Sequence, residues 1–179
     1  KIIALFEISN ATDTEIYNVG LEVYGLYITE MADFNSFATH AESPNYYYLA
    51  NDIDATGFEF TETQNNSATG LTGIFEGNGH VISNITTKSK GLFGIVNGGT
   101  VKNVAFTNAI LTGYYPCLIA HVERGSAKIK NVYVEVDSVA VRGGILYQQT
   151  MSASALHENV VVVYGISQDG VRSVMSQSG

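Results

Sequence analysis

The sequence predicts an all-β solenoid that winds about 26 residues into each coil. Three observations predict it. The first is a recurring phrase: a short apolar run, a gap, then an apolar residue, one variable position, Asn and Val. It reads Ala4-Leu5-Phe6 with Ile16-Tyr17-Asn18-Val19, and Gly91-Leu92-Phe93 with Val101-Lys102-Asn103-Val104. It returns as Cys117-Leu118-Ile119 with Ile129-Lys130-Asn131-Val132, and with one inserted residue as Gly144-Ile145-Leu146 with Leu156-His157-Glu158-Asn159-Val160. The second is spacing: the openings Leu92, Leu118, Ile145 and Val171 lie 26, 27 and 26 residues apart. The third is composition, with 18 Gly against 2 Pro, 11 Tyr, 8 Phe and only 15 % charged residues. Short β-prone runs broken by Gly and Asn turns produce that profile.

Three segments follow in chain order. Residues 1–28 read as the end of a preceding β-helical stack, because Leu5 to Asn18 has the same spacing as Leu118 to Asn131. Val19, Leu21 and Val23 then alternate as a strand does. Residues 29–44 read as a helical cap or connector. Thr29 can cap a short helix near residues 30–41, Phe34, Phe37, Ala38 and Ala41 fall at helical spacing, and Ser43-Pro44 ends it. Such a helix would cover an open end of a β-stack.

Residues 45–179 read as the main solenoid. Tyr46-Tyr47-Tyr48-Leu49-Ala50 is a strand, residues 58–70 are a polar loop, and Gly73 to Ile85 gives two strands around Gly77-Asn78-Gly79. The three clear repeats follow. A fifth copy opens at Gly170-Val171 and is cut off. The chain begins at Lys1 rather than Met, so the expectation is an internal piece of a longer or processed polypeptide.

Within stacked coils, equivalent residues form columns about 4.8 Å apart. Asn18, Asn84, Asn103, Asn131 and Asn159 are assigned to a structural amide ladder, each bonding its neighbours above and below. After each Asn, alternation sends Val104, Phe106, Val132, Val134, Val160 and Val162 inward. It sends Ala105, Tyr133 and Val161 outward, with Thr107, Glu135 and Val163 beside them. Val161 and Val163 on an outer face point to a covering element or a neighbouring subunit. Before the Asn, Lys102 and Lys130 should stack with Glu158 one coil on, as a solvated charge ladder or a glycan-contacting strip.

Charge is uneven: residues 1–87 carry one Lys and twelve acids, and residues 88–179 carry eight basic residues and five acids. That split suits a solvated acidic half or head-to-tail attraction between modules. The overall charge of −8 and the lack of a dense basic run exclude nucleic acid as a partner. No apolar run approaches the roughly 20 residues of a membrane span. Cys117 has no second Cys to pair with, and takes the place of Gly91 and Gly144 as a small buried residue.

Catalytic residues do not stand out. Lyases need an Arg or Lys base, often with Ca²⁺, and hydrolases need two carboxyl groups roughly 5–9 Å apart. Asp52 and Asp54 share a strand face and are weak candidates for Ca²⁺, but would more often serve the following turn. His80 reads as a turn residue. His40, His121 and His157 show no acid partner in sequence. Tyr114, Tyr115 and Tyr133, with Lys102 and Lys130, are candidates for glycan contact through ring stacking and charge.

At Tyr48-Leu49-Ala50-Asn51-Asp52-Ile53-Asp54, Phe75-Glu76-Gly77-Asn78-Gly79-His80-Val81-Ile82 and Gly91-Leu92-Phe93-Gly94, the chain resembles the GLUG-type right-handed parallel β-helices of the pectate-lyase-like superfamily. The resemblance covers most of residues 29–165 and, more weakly, 1–28. It implies a right-handed parallel β-helix in a bacterial surface protein or a phage virion or appendage protein, used in adhesion, host attachment or as an extended scaffold. Some relatives on this fold are lyases or hydrolases of acidic polysaccharides. The expectation is therefore a non-enzymatic extracellular or virion-surface module that projects a rigid shaft. Its partners would be neighbouring modules or subunits and a host glycan or receptor, and it would need no cofactor. A polysaccharide lyase or glycoside hydrolase is the alternative.

Overall fold

A computed structural model describes residues 2–6, 19–23, 25–38, 46–58, 70–87, 91–113, 116–139, 144–150, 153–166 and 172–176. It is nearly all β, with parallel sheets that wind a solenoid of about 3 turns. The first two strands stand apart from it. β1 (Ile2–Phe6) and β2 (Val19–Val23) pair antiparallel, with Leu5 opposite Gly20. Of the first copy of the repeated phrase, Ala4-Leu5-Phe6 lies on β1 and Val19 opens β2, while Ile16, Tyr17 and Asn18 lie outside the described residues.

The main sheet starts at β3 (Gly25–Ile28), inside the segment read as a preceding stack. It pairs in parallel with β4 (Tyr46–Leu49). A 3₁₀ helix, Met31–Ala38, links them. Thr29 and Glu30 donate their backbone N–H groups to Asp33 Oδ2 at 2.7 and 3.1 Å, and the Thr29 hydroxyl donates to it at 2.9 Å. Asp33 therefore closes this turn as acceptor, where the sequence reading gave the cap to Thr29. The helix winds at three residues per turn, so Met31 and Phe34 share its buried side. Phe34 meets Phe75 and Phe93 at ring-centre distances of 5.9 and 6.4 Å, and plugs the coil interior at this end.

β5 (Ile53–Asp54), β6 (Ile74–Glu76), β7 (Val81–Ser83) and β8 (Thr86–Thr87) are short. β6 and β7 are the two strands read around Gly77-Asn78-Gly79, and β8 follows them. All three lie in parallel along one long strand, β10 (Thr100–Leu111), meeting it at Thr100–Lys102, Ala105–Thr107 and Ile110–Leu111. β10 continues to β12 (Lys128–Val139) and then β14 (Leu156–Ile166), with Thr100 opposite Lys128 and Lys128 opposite Leu156. A second sheet stacks β9 (Ile95–Asn97), β11 (Ala120–Arg124) and β13 (Tyr147–Thr150). The last strand, β15 (Arg172–Ser176), turns back antiparallel on β14. A fifth parallel coil would need a crossover of a dozen or more residues; an antiparallel return needs only a short link.

Between the sheets lie Phe75, Phe106, Leu92, Leu118, Ile119, Ile129, Val132 and Val134, all almost fully buried, and Cys117 is buried with them. The inward residues Val104, Phe106, Val160 and Val162 belong to this core. Val163 reads from the sequence as an outer-face residue beneath a covering element, in the column of Glu135. It is buried, and β15 flanks it with Val174 opposite. Among the described residues no helix is long and apolar enough to cross a membrane.

Candidate functional site

The site begins with a bend. Asn103, Asn131 and Asn159 adopt φ of 55°, 52° and 53°. Each L-residue in that left-handed region costs roughly 1–2 kcal/mol, and Asn is among the few that enter it routinely. The strand turns a corner at each of them, and the amides stack. Asn159 Nδ2 donates to Asn131 Oδ1 and Asn131 Nδ2 to Asn103 Oδ1, both at 2.9 Å across a separation of 28 residues. Asn103 Nδ2 donates in turn to Glu76 Oε1 at 2.9 Å.

Asn84 belongs elsewhere. Its amide donates to Asp54 Oδ1 at 2.9 Å and its Oδ1 accepts from Asn108 Nδ2 at 3.1 Å. Both Asn84 and Asn108 also have positive φ. This is a second corner with its own ladder, and it corrects the single-column assignment. β10 bends at both Asn103 and Asn108, so in this coil the left-handed Asn is used at two places. Asn18 lies outside the described residues, as do Tyr114 and Tyr115.

Glu76 heads the first ladder. Its Oε1 accepts from the Asn103 amide and from the Asn78 N–H, and its Oε2 lies 3.0 Å from Lys102 Nζ. Burial raises its pKa, but the bonds from Asn103, Asn78 and Lys102 outweigh that and hold the carboxyl below its ordinary range. Glu76, Lys102, Lys130 and Glu158 sit in one register column. The column resolves into two ion pairs, because Lys130 Nζ lies 2.7 Å from Glu158 Oε2. Both lysines are therefore already partnered.

A groove of about 620 Å³ follows the corner across four successive coils. Glu76, Asn78 and Gly79 line one end, then Asn103 with Ala105, then Asn131 with Tyr133, then Asn159 with Val161. Tyr133 and Val161 are more than one-third exposed. Ala105 and Val161 flank Tyr133 in register, so the ring has a small neighbour on one side. The Tyr133 hydroxyl leans on Glu135 Oε2 at 3.4 Å.

Asp52 and Asp54 do not converge. Asp52 Oδ1 takes the Val81 N–H and faces His80 Nδ1, each at 3.0 Å, and the Val81 bond, then His80, lowers its pKa. Asp54 Oδ1 takes the Thr56 N–H at 3.0 Å, the Thr56 hydroxyl at 2.6 Å and the Asn84 amide. Asn84, then Thr56, lowers its pKa. Each carboxylate thus ties a turn to the next coil. Among the described residues no three His, Cys, Asp or Glu side chains gather as a metal site would require.

The sequence reading missed one cluster. Glu123 is fully buried, and its Oε1 lies 3.0 Å from His157 Nε2, so His157 does have an acid partner. Tyr147 stacks on the His157 ring with centres 5.5 Å apart and planes inclined by 20°. Burial, then the Glu123 carboxylate, pushes the Tyr147 phenol far up. Glu123 comes from β11, Tyr147 from β13 beside it in the second sheet, and His157 from β14 of the main sheet, so the cluster joins the two sheets.

No family model and no curated protein matches the chain. Among solved structures, a proposed immunoglobulin A1 protease from Bacteroides ovatus is similar, at 21 % identity and a TM-score of 0.52. The likeness covers 79 % of this chain and 57 % of that one, and it shows a shared fold alone.

Proposed function

We propose that this chain is a structural and adhesive module of a larger extracellular protein, of the GLUG-like kind found on bacterial cell surfaces or phage virions. Its solenoid would serve as a stiff shaft, and the corner groove would contact a host glycan or receptor. The groove carries this reading. It offers stacked amides and an exposed ring suited to binding, and among the described residues that line it the one carboxylate, Glu76, is poorly suited to catalysis. Glycoside hydrolysis draws on two carboxyl groups, one of them protonated. Glu76 has both oxygens engaged and a lowered pKa, so at neutral pH it holds no proton to give. Proton abstraction by a lysine is disfavoured in the same way, since Lys102 and Lys130 sit in ion pairs.

The test is to incubate the purified chain with acidic and neutral polysaccharides. Reducing ends, unsaturated products and bound glycan are then measured. Saturable binding without product is expected; catalytic release of either product would overturn the adhesive reading in favour of a lyase or hydrolase.

A further inference from the structure

We infer that the corner groove takes a neutral glycan strand laid along the solenoid axis; this rests on the adhesive reading and narrows its ligand. The first argument is unused hydrogen-bonding capacity. A side-chain amide has two N–H donors and an oxygen with two lone pairs. Within the ladder, Asn103, Asn131 and Asn159 each donate once, and Asn103 and Asn131 each accept once. A donor on every rung and a lone pair on every oxygen remain for a ligand in the groove these residues line. Donors and acceptors alternating at a repeat of about 4.8 Å match a polymer that presents hydroxyl groups, which both donate and accept.

The second argument is charge. Among the described residues that line the groove the one charged group is Glu76, and Lys102 pairs with it. Lys130, the next cation along, is held by Glu158. A uronate or sulfated chain would have to displace Glu76 or Glu158 from its lysine to gain a counter-charge. A neutral chain has no such cost. The third argument is the ring. Tyr133 stands at the middle rung with the small Ala105 beside it, which leaves room for a sugar ring against its face.

The experiment is titration calorimetry with cellohexaose, mannohexaose and N-acetylchitohexaose. Hexagalacturonate and a hyaluronan hexasaccharide serve as acidic probes. At least one neutral hexamer should bind, with an affinity nearly unchanged from low to high salt. Tyr133→Ala should weaken it about tenfold and Tyr133→Phe far less, because stacking needs the ring and not the hydroxyl. The shortest neutral oligomers should bind worst, because the three rungs span about 10 Å. Melting temperatures of both variants establish that they fold. Tighter, salt-sensitive binding of an acidic hexamer overturns this inference and leaves the adhesive reading standing, as does neutral binding that ignores Tyr133→Ala. Binding of no probe overturns it as well, while the adhesive reading falls only if sugar ends are released.

Discussion

Asn131 donates its side-chain amide to Asn103 Oδ1 across one coil at 2.9 Å, and both residues bend their strands at positive φ. One residue type thus meets two demands, a left-handed backbone and a bond to the next coil. Asn131→Ala fails at both, with about 1–2 kcal/mol lost to the backbone and about 1 kcal/mol for each amide bond. Asn131→Gly restores only the backbone freedom. Urea denaturation should therefore rank wild type above Gly above Ala. An unchanged melting temperature in Asn131→Ala would refute the ladder.

Glu76 makes the same corner sensitive to acid. Its folded pKa is depressed, with burial opposing and the Asn103, Asn78 and Lys102 bonds prevailing. Its contribution is therefore fully present above the unfolded carboxyl pKa of about 4.3, and is lost as pH falls through the lower folded value. Glu76→Gln should cost about 1 kcal/mol at neutral pH. The gap in melting temperature between the two proteins should close below about pH 4. A gap independent of pH would remove the charge from the explanation.

Close approach of coils sets a second limit. A Cβ on Gly77 would overlap the Asn103 carbonyl oxygen and the Val104 Cβ, whereas Gly98 has open space and only a positive φ of 73°. Gly77→Ala should cost about 2 kcal/mol or more, because backbone atoms must separate. Gly98→Ala should cost about 1 kcal/mol. Equal losses on denaturation would show that the coils do not meet at Gly77.

The legible part of this molecule was the part that repeats. Asn103, Asn131 and Asn159 recur at equal spacing, and the inward alternation around Val132 and Val134 follows from strand geometry. Asn84 misled because its local phrase, Asn84-Ile85, looks like the others while its partners are Asp54 and Asn108. A corner residue carries the signature of a bend and not of which bend it is. The groove was half legible: alternation put Tyr133 outside, but its alignment with Ala105 and Val161 depends on register. Glu123 lies outside the repeated phrase and His157 falls in its one irregular copy 34 residues on, so only the coil geometry joins them.

That buried pair yields the sharpest stability contrast. His157→Leu removes the ring that faces the fully buried Glu123 side chain at 3.0 Å, and loss of that hydrogen bond costs about 1–3 kcal/mol. Replacing both, as Glu123→Leu with His157→Leu, leaves neither polar partner behind and should recover part of that loss. A double-mutant cycle by urea denaturation should therefore give a large coupling energy, and simple additivity would dissolve the pair. Tyr147 supplies an independent readout. Burial first, then Glu123, keeps its phenol protonated far into the alkaline range. Glu123→Leu removes the second cause and retains the first, so the absorbance titration of Tyr147 should move down in pH yet stay above an ordinary tyrosine.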